Sequence, residues 1–186
     1  MMKQRKPKVC KFCGADFVPY RSYQKVCSGK CALELVRQEK AKKVARERSD
    51  RLKVRRQAVR PLSYFMRQAQ QAFNAFIRYR DRHEPCISCG RHHQGQYHAG
   101  HFLTTAAHPE LRFNEDNAHK QCQPCNTHLS GNLTRYRPAL IAKIGQARFD
   151  ALTGPHERRR WTREECIRIR DEYRMKLREM KKRDAA

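Results

Sequence analysis

Apolar residues recur at helical spacing in only part of this chain, and that unevenness divides it. Phe65/Met66, Ala69, Ala72/Phe73 and Phe76/Ile77 return every three to four positions, the period of one helix face. They predict a helix near 63–82, placed just after the helix-breaking Pro61 and capped by Ser63. The stripe reads as core packing rather than as a base-stacking surface. A second helix is predicted over Tyr136–Phe149, with Leu140, Ile141 and Ile144 apolar, followed by a loop at Gly154–Pro155. A third begins at Thr162, where Glu165 three residues on gives a capping-box signature and Trp161 and Cys166 take the flanking apolar positions. Ile167, Arg170, Tyr173 or Arg174 and Leu177 give it a partial stripe. Tyr97–Phe102 alternates enough for a short strand, and the residues after Cys125 suit the start of a short helix.

The pattern fails over 36–60, where Val36, Val44, Leu52, Val54 and Val59 are sparse and without period. Residues 37–60 hold eleven Lys/Arg against three acids, with neither Gly nor Pro. This stretch reads as a solvated basic helix or a partly disordered linker. The bias to one sign favours phosphate contact over a merely soluble face, with Arg46, Arg48, Arg51 and Lys53 as candidate DNA-binding residues.

The whole chain shares that bias. Of 186 residues, 42 are Lys or Arg and 18 are Asp or Glu, a formal net charge of +24. Such an excess implies a polyanionic partner, with nucleic acid the default. Ribosomal and histone-like proteins share it, so charge alone names no function. No apolar run approaches the roughly 18 residues of a spanning helix, which argues against a membrane protein. The opening MMKQRKPKVC is charged and lacks an apolar segment, which argues against a secretory signal.

Eight of the nine cysteines form four close pairs, and these group as two sites: Cys10, Cys13, Cys27 and Cys31, then Cys86, Cys89, Cys122 and Cys125. Paired pairs at such spacing read as two structural Zn2+ sites, each closed by four thiolates. Redox-active CxxC motifs or free thiols are the competing reading. Cys166, alone on a predicted helix, reads as a small core residue. Residues 1–35 would be a small zinc module with Phe12, Phe17 and Tyr20 as a minimal core, too small to fold without metal.

Around the second site the chain is dense in His and Asn: His98, His101, Asn117 and His119 between the Cys pairs, Asn126 and His128 just after. This order resembles the HNH, or ββα-metal, nucleases. The longer run from SYFMRQAQQAFNAFIRYRDRHEPCISCG through YHAGHFLTTAAHPELRFNEDN to HKQCQPCNTHLSGNLTRYR resembles the NinG family of lambdoid phages, also called Rap.

The resemblance implies an α+β, mostly helical chain. It would have a zinc-stabilised HNH-like core at 84–135 within a domain of 61–186, an N-terminal zinc module at 1–35 and a basic segment at 36–60. It implies a branch-specific endonuclease acting on D-loops and Holliday-type junctions. His101 would be the general base, Asn117 would orient it, and Asn126 would bind a catalytic Mg2+ or Mn2+. HNH enzymes commonly carry Asp or His just before the base, where this chain has Gly100. His98 is the nearest replacement as a metal ligand, with Glu115 and Asp116 as further candidates. The implied partners are branched DNA and phage recombination proteins, in the cytoplasm of an infected bacterium. Symmetric junction cleavage calls for two sites, which favours a homodimer. The alternative is a non-catalytic zinc-containing DNA- or RNA-binding protein on a degenerate HNH scaffold, and a ribosome-associated zinc protein is a third reading.

Overall fold

The structure, a computed structural model, describes residues 6–185. The first five residues of the expected 1–35 module, and part of the opening segment read for a signal, lie outside that range. The chain is mixed α+β and mostly helical, and it divides into two compact units, Met1–Arg60 and Pro61–Ala186.

In the first unit, β1 (Lys8–Val9) pairs antiparallel with β2 (Asp16–Phe17). Cys10 and Cys13 sit on the turn between them, which Gly14 closes at φ +76°, a left-handed conformation that favours glycine. The expected aromatic core is absent: Phe12 and Tyr20 are exposed, Tyr20 at 83%, and Phe17 is half-buried. Cys10 and Pro19 are buried instead. So short a hairpin has no second layer on which to fold its rings, and the sulfur cluster takes the place of a core.

Helix α1 (Gly29–Ala58) follows, 30 residues long, roughly 45 Å at 1.5 Å per residue. The expected boundary at 35 therefore falls inside a helix, and the segment 36–60 is helical rather than a linker. Ser28 caps it by accepting from Cys31 N–H at 3.2 Å. Beyond Gly29 the residues are mostly strong helix formers. Two spaced ion pairs, Arg37–Glu34 and Lys53–Asp50, offset a little of the like-charge repulsion. None of its residues is buried.

The second unit is built on α2 (Leu62–Arg80) and α5 (Arg163–Asp184), which pack on one another. Phe65, Ala69, Ala72, Phe73, Phe76 and Ile77 form the buried face of α2, against Cys166 and Tyr173 of α5. Phe73 and Tyr173 meet edge to face at 4.9 Å. Ser63 is not the cap. Pro61 holds that position with φ −68° and ψ 158°, so Ser63 lies inside the first turn. At α5 the capping box is complete: Thr162 Oγ1 accepts from Glu165 N–H, and Glu165 Oε2 from Thr162 N–H.

Strands β3 (Tyr97–His101) and β4 (Ala118–Cys122) pair antiparallel, with Tyr97 opposite Cys122, His98 opposite Gln121, Gly100 opposite His119 and His101 opposite Ala118. A five-residue π-type turn, Pro124–His128, follows β4. The helix expected over Tyr136–Phe149 is two helices, α3 (Leu133–Ile144) and α4 (Gln146–Thr153), broken at Gly145 with φ +82°. A buried knot joins α2 to β4. Asp81 takes two hydrogen bonds from Arg80, at 2.7 and 2.9 Å, and one from Lys120 N–H, while Arg80 also reaches the carbonyls of Glu115 and Ala118. Among the described residues no helix is long and apolar enough to cross a membrane.

Candidate active site

The two cysteine quartets close in space. Within each, all four sulfurs lie within 4.8 Å of one another. Cys13–Cys27 is 3.6 Å, Cys27–Cys31 3.5 Å and Cys89–Cys122 3.9 Å. Four thiolates about 2.3 Å from a tetrahedral Zn2+ stand about 3.7–3.8 Å apart, so both quartets fit that ion. Backbone N–H groups point at the sulfurs, Cys27 at Cys10 and Cys122 at Cys86. The hydrogen bond from Cys13, with those from Cys27 and Phe12, draws the Cys10 thiol down to about 6. The sulfur of Cys31, then those of Cys13 and Cys10, push Cys27 up to about 12. Burial, then the sulfurs of Cys86 and Cys125, do the same to Cys122. Four thiols this close cannot all ionise without a cation among them.

The β3–β4 pair organises the remaining candidates. Successive strand residues face opposite sides. Ala99 and Ala118 pack into the α2 core, and His101 lies on that same side, its ring 6.0 Å from Phe73. The His101 Nε2–H donates to the carbonyl of Arg112 at 3.0 Å. A carbonyl only accepts, so the proton is fixed on Nε2 and the lone pair on Nδ1. Burial, the largest influence, lowers the His101 pKa and favours the neutral ring.

His98 lies on the other side of the sheet with Gly100. There the Asn126 Nδ2–H donates to His98 Nδ1 at 3.2 Å. The structure thus brings His98 and Asn126 together, while His101 makes its contacts at Phe73 and Arg112. Glu115 and Asp116 are engaged elsewhere: Glu115 with Lys176 at 2.9 Å and with Arg80 and Tyr173, Asp116 with Arg148.

Asn117 is fully buried and reaches the His101 ring only indirectly. Its side chain accepts from Leu103 N–H and donates to the carbonyls of Leu103 and Leu111. It clamps the ends of the loop that presents the Arg112 carbonyl, and that carbonyl, not Asn117, bonds the imidazole. His119 is buried and hydrogen-bonds Tyr136, whose hydroxyl donates to the Gly100 carbonyl. Burial first, then the positive charges of Lys143 and Arg80, push His119 down to about 3, so it stays neutral. His128 is exposed.

The family model described as Bacteriophage Lambda NinG protein matches residues 2–184. The chain belongs to the NinG family. It is 46% identical over 185 residues to "Protein ninG" of Escherichia phage lambda, covering 91% of this chain and 90% of the relative. The same identity, over 185 residues, relates it to "Protein ninG" of Salmonella phage P22, with 91% and 90% covered. Against that of Escherichia phage 933W it is 46% over 188 residues, with 92% of each chain covered. No solved structure matches it. The NinG match runs through both units, so the sulfur quartets, α1 and the hairpin all fall within the family's extent.

Three groups that shape this NinG site escape a reading of residue types. Arg112 acts through its backbone, which no side-chain pattern records. Tyr136 falls in a stretch legible only as a helix, yet it is fully buried beneath β3. Asp81 lies in a charged run, RYRDRHE, that reads as solvated surface, though it is 1% exposed.

The basic candidates Arg46, Arg48, Arg51 and Lys53 are all exposed on α1. At about 100° per residue, Arg46 and Lys53 share one side of the helix, and Arg48 and Arg51 the opposite one.

Proposed function

We propose that this protein is a metal-dependent endonuclease of the HNH type that cuts branched DNA, D-loops and Holliday-type junctions, by phosphodiester hydrolysis. The observation that carries the reading is His101: a half-buried histidine, neutral, with its tautomer fixed by the Arg112 carbonyl. Nδ1 is then a proton acceptor at neutral pH, as a general base requires. His101 takes a proton from the attacking water, and Asn117 holds the loop that keeps the ring in place.

Asn126 would hold the divalent ion through Oδ1, and His98, whose Nδ1 accepts from the Asn126 amide, would orient it. The amide oxygen suits Mg2+ or Mn2+. When bound, such an ion stabilises charge on the phosphoryl group and the leaving oxygen. The two zinc ions are structural in this reading, because four thiolates leave no open coordination position. The exposed cations of α1 contact backbone phosphates, so recognition follows DNA shape rather than sequence. Cutting both strands of a junction calls for two copies of the chain. The reading places the protein in the host cytoplasm among phage recombination proteins.

A second reading, a non-catalytic zinc-containing DNA- or RNA-binding protein, draws on His98, which stands where an acid would help to hold the ion. Incubation with a synthetic four-way junction, with and without Mg2+ or Mn2+, separates the two. Metal-dependent nicking lost in His101→Ala supports the nuclease. Tight junction binding with no nicking under any divalent ion supports the second reading.

A further inference from the structure

Gly100 stands where an acid would serve the divalent site, and its backbone gives no reason for glycine: its φ is not in the left-handed region. The reason is space. A Cβ on Gly100 would lie 2.0 Å from Gln121 Oε1 and 3.0 Å from Asn126 Oδ1. The side-chain volume absent at Gly100 is filled from the neighbouring strand by an amide oxygen.

The orientation of that amide is fixed from its other end. Gln121 Nε2 donates to the Gly131 carbonyl and to Ser88 Oγ, both at 2.6 Å. The Gly131 carbonyl only accepts, so the nitrogen must face it, and Oε1 must face Gly100. Gln121 is fully buried, and Oε1 has no hydrogen-bond partner. Opposite Gln121 in register is His98, whose Nε2 is also buried and unpaired. Asn126 adds its Oδ1 to the same gap while its Nδ2 faces His98. Because His98 Nδ1 accepts that amide N–H, the ring carries its proton on Nε2 and holds Asn126 in orientation. Two amide oxygens converge on the gap beside Gly100, and the buried one, Gln121 Oε1, has no donor, an arrangement that a cation resolves.

We propose that Gln121 is a ligand of the divalent cation, delivering through the gap at Gly100 the oxygen that an acid at that position would supply. This deepens the divalent site of the nuclease reading and rests on it. The site is Gln121 Oε1 and Asn126 Oδ1, neutral in its protein ligands, with His98 orienting Asn126. It therefore binds more weakly than a carboxylate site and relies on DNA phosphate and water to complete the shell.

The test is Mn2+ binding to the zinc-loaded full chain, read as loss of the free-ion electron paramagnetic resonance signal, with zinc content and the unfolding temperature measured alongside without Mn2+. Gln121→Ala should weaken Mn2+ binding about ten-fold or more while two zinc ions are retained. Gly100→Ala should weaken it similarly with Gln121 still present, because its Cβ displaces the amide. The double variant Gly100→Asp/Gln121→Ala, which puts a carboxylate into the vacated space, should restore binding to at least the parent level. If Gln121→Ala and Gly100→Ala, folded and zinc-loaded, bind Mn2+ as the parent does and Asn126→Ala does not, Gln121 is no ligand and the divalent site stands without it. If either single variant fails to fold, the double variant decides: folded and zinc-loaded without restored binding, it overturns the proposal. If the parent binds no Mn2+ at millimolar concentration, alone or on an uncut junction, this inference and the divalent site fall together.

Discussion

Replacing His101 with alanine separates chemistry from binding, and its consequences can be sized in advance. The side chain has one hydrogen bond, to the Arg112 carbonyl, and ring contact with Phe73. Truncation leaves that carbonyl without its donor and opens space beside Phe73, a loss of about 2 kcal/mol of stability. For a unit of this size that lowers the unfolding temperature by roughly 5–10 °C, so the variant stays folded at 25 °C. The catalytic loss is larger. Removing a general base costs roughly 10²–10⁴ in rate, about 3–5 kcal/mol on the barrier.

Single-turnover cleavage of a labelled four-way junction at saturating protein measures that loss free of any change in affinity. The pH profile carries a second signature. Burial lowers the pKa of His101, so the neutral, active ring predominates above a midpoint below the ordinary 6.5 and is lost as pH falls through it. The parent rate should rise about ten-fold per pH unit on the acid side and level off before neutrality. The variant should lack that limb. Cleavage by His101→Ala at the parental rate, or an unchanged acid limb, refutes the assignment.

Three further outcomes follow from the geometry. Metal analysis should return about two zinc per chain, and Cys122→Ser about one, with loss of the hairpin's native fold, since the ligand set is complete only when four thiolates converge. Asp81→Asn removes the buried carboxylate that pairs with the half-buried Arg80 guanidinium, leaving it Glu115 at 3.9 Å, and should cost about 2 kcal/mol, seen in denaturant unfolding monitored at the aromatic residues. Arg46, Arg48, Arg51 and Lys53 changed together to Ala should weaken all DNA substrates alike and reduce the salt slope by roughly one per lost phosphate contact, measured by titration at several salt concentrations. An unchanged slope would make α1 a solvated face.

The parts of the fold that could be read in advance are those whose cause lies within a few residues. The stripe from Phe65 to Ile77 and the Thr162–Glu165 cap are local patterns, and the structure realises both. Ser63 was outranked because Pro61 already supplies the extended φ and ψ of an N-cap. The split at Gly145 follows from one backbone angle, which residue periodicity does not register. Phe12 and Tyr20 looked like core by type, but a two-strand hairpin has no opposing layer to bury them. At the site, the chain order placed His98 near Asn126 because the hairpin and the second cysteine quartet fold that order onto itself. The indirect role of Asn117 depends on a loop closing between Phe102 and Asn117, and the vacancy filled by Gln121 depends on cross-strand register. Neither can be read from the order of side-chain types.

Helix α1 has a thermodynamic consequence of its own. Cys31, Ala32, Glu34 and Leu35 are half-buried, but every residue from 36 to 58 is exposed, so the melting of that stretch follows a helix–coil equilibrium. Nucleation is the unfavourable step in such an equilibrium, by a factor of about 10⁻³. Here the nucleus lies at the helix start: Ser28 caps it, and Cys27 and Cys31, either side of that cap, belong to the first sulfur quartet. Zinc at those four sulfurs would therefore govern the helicity of thirty residues. Chelation should remove far more helical signal than a knuckle accounts for. Heating should melt α1 gradually from its Ala58 end, ahead of the cooperative transition of residues 61–186. Phosphates that neutralise its crowded cations should lengthen it, which would couple DNA binding to helix growth.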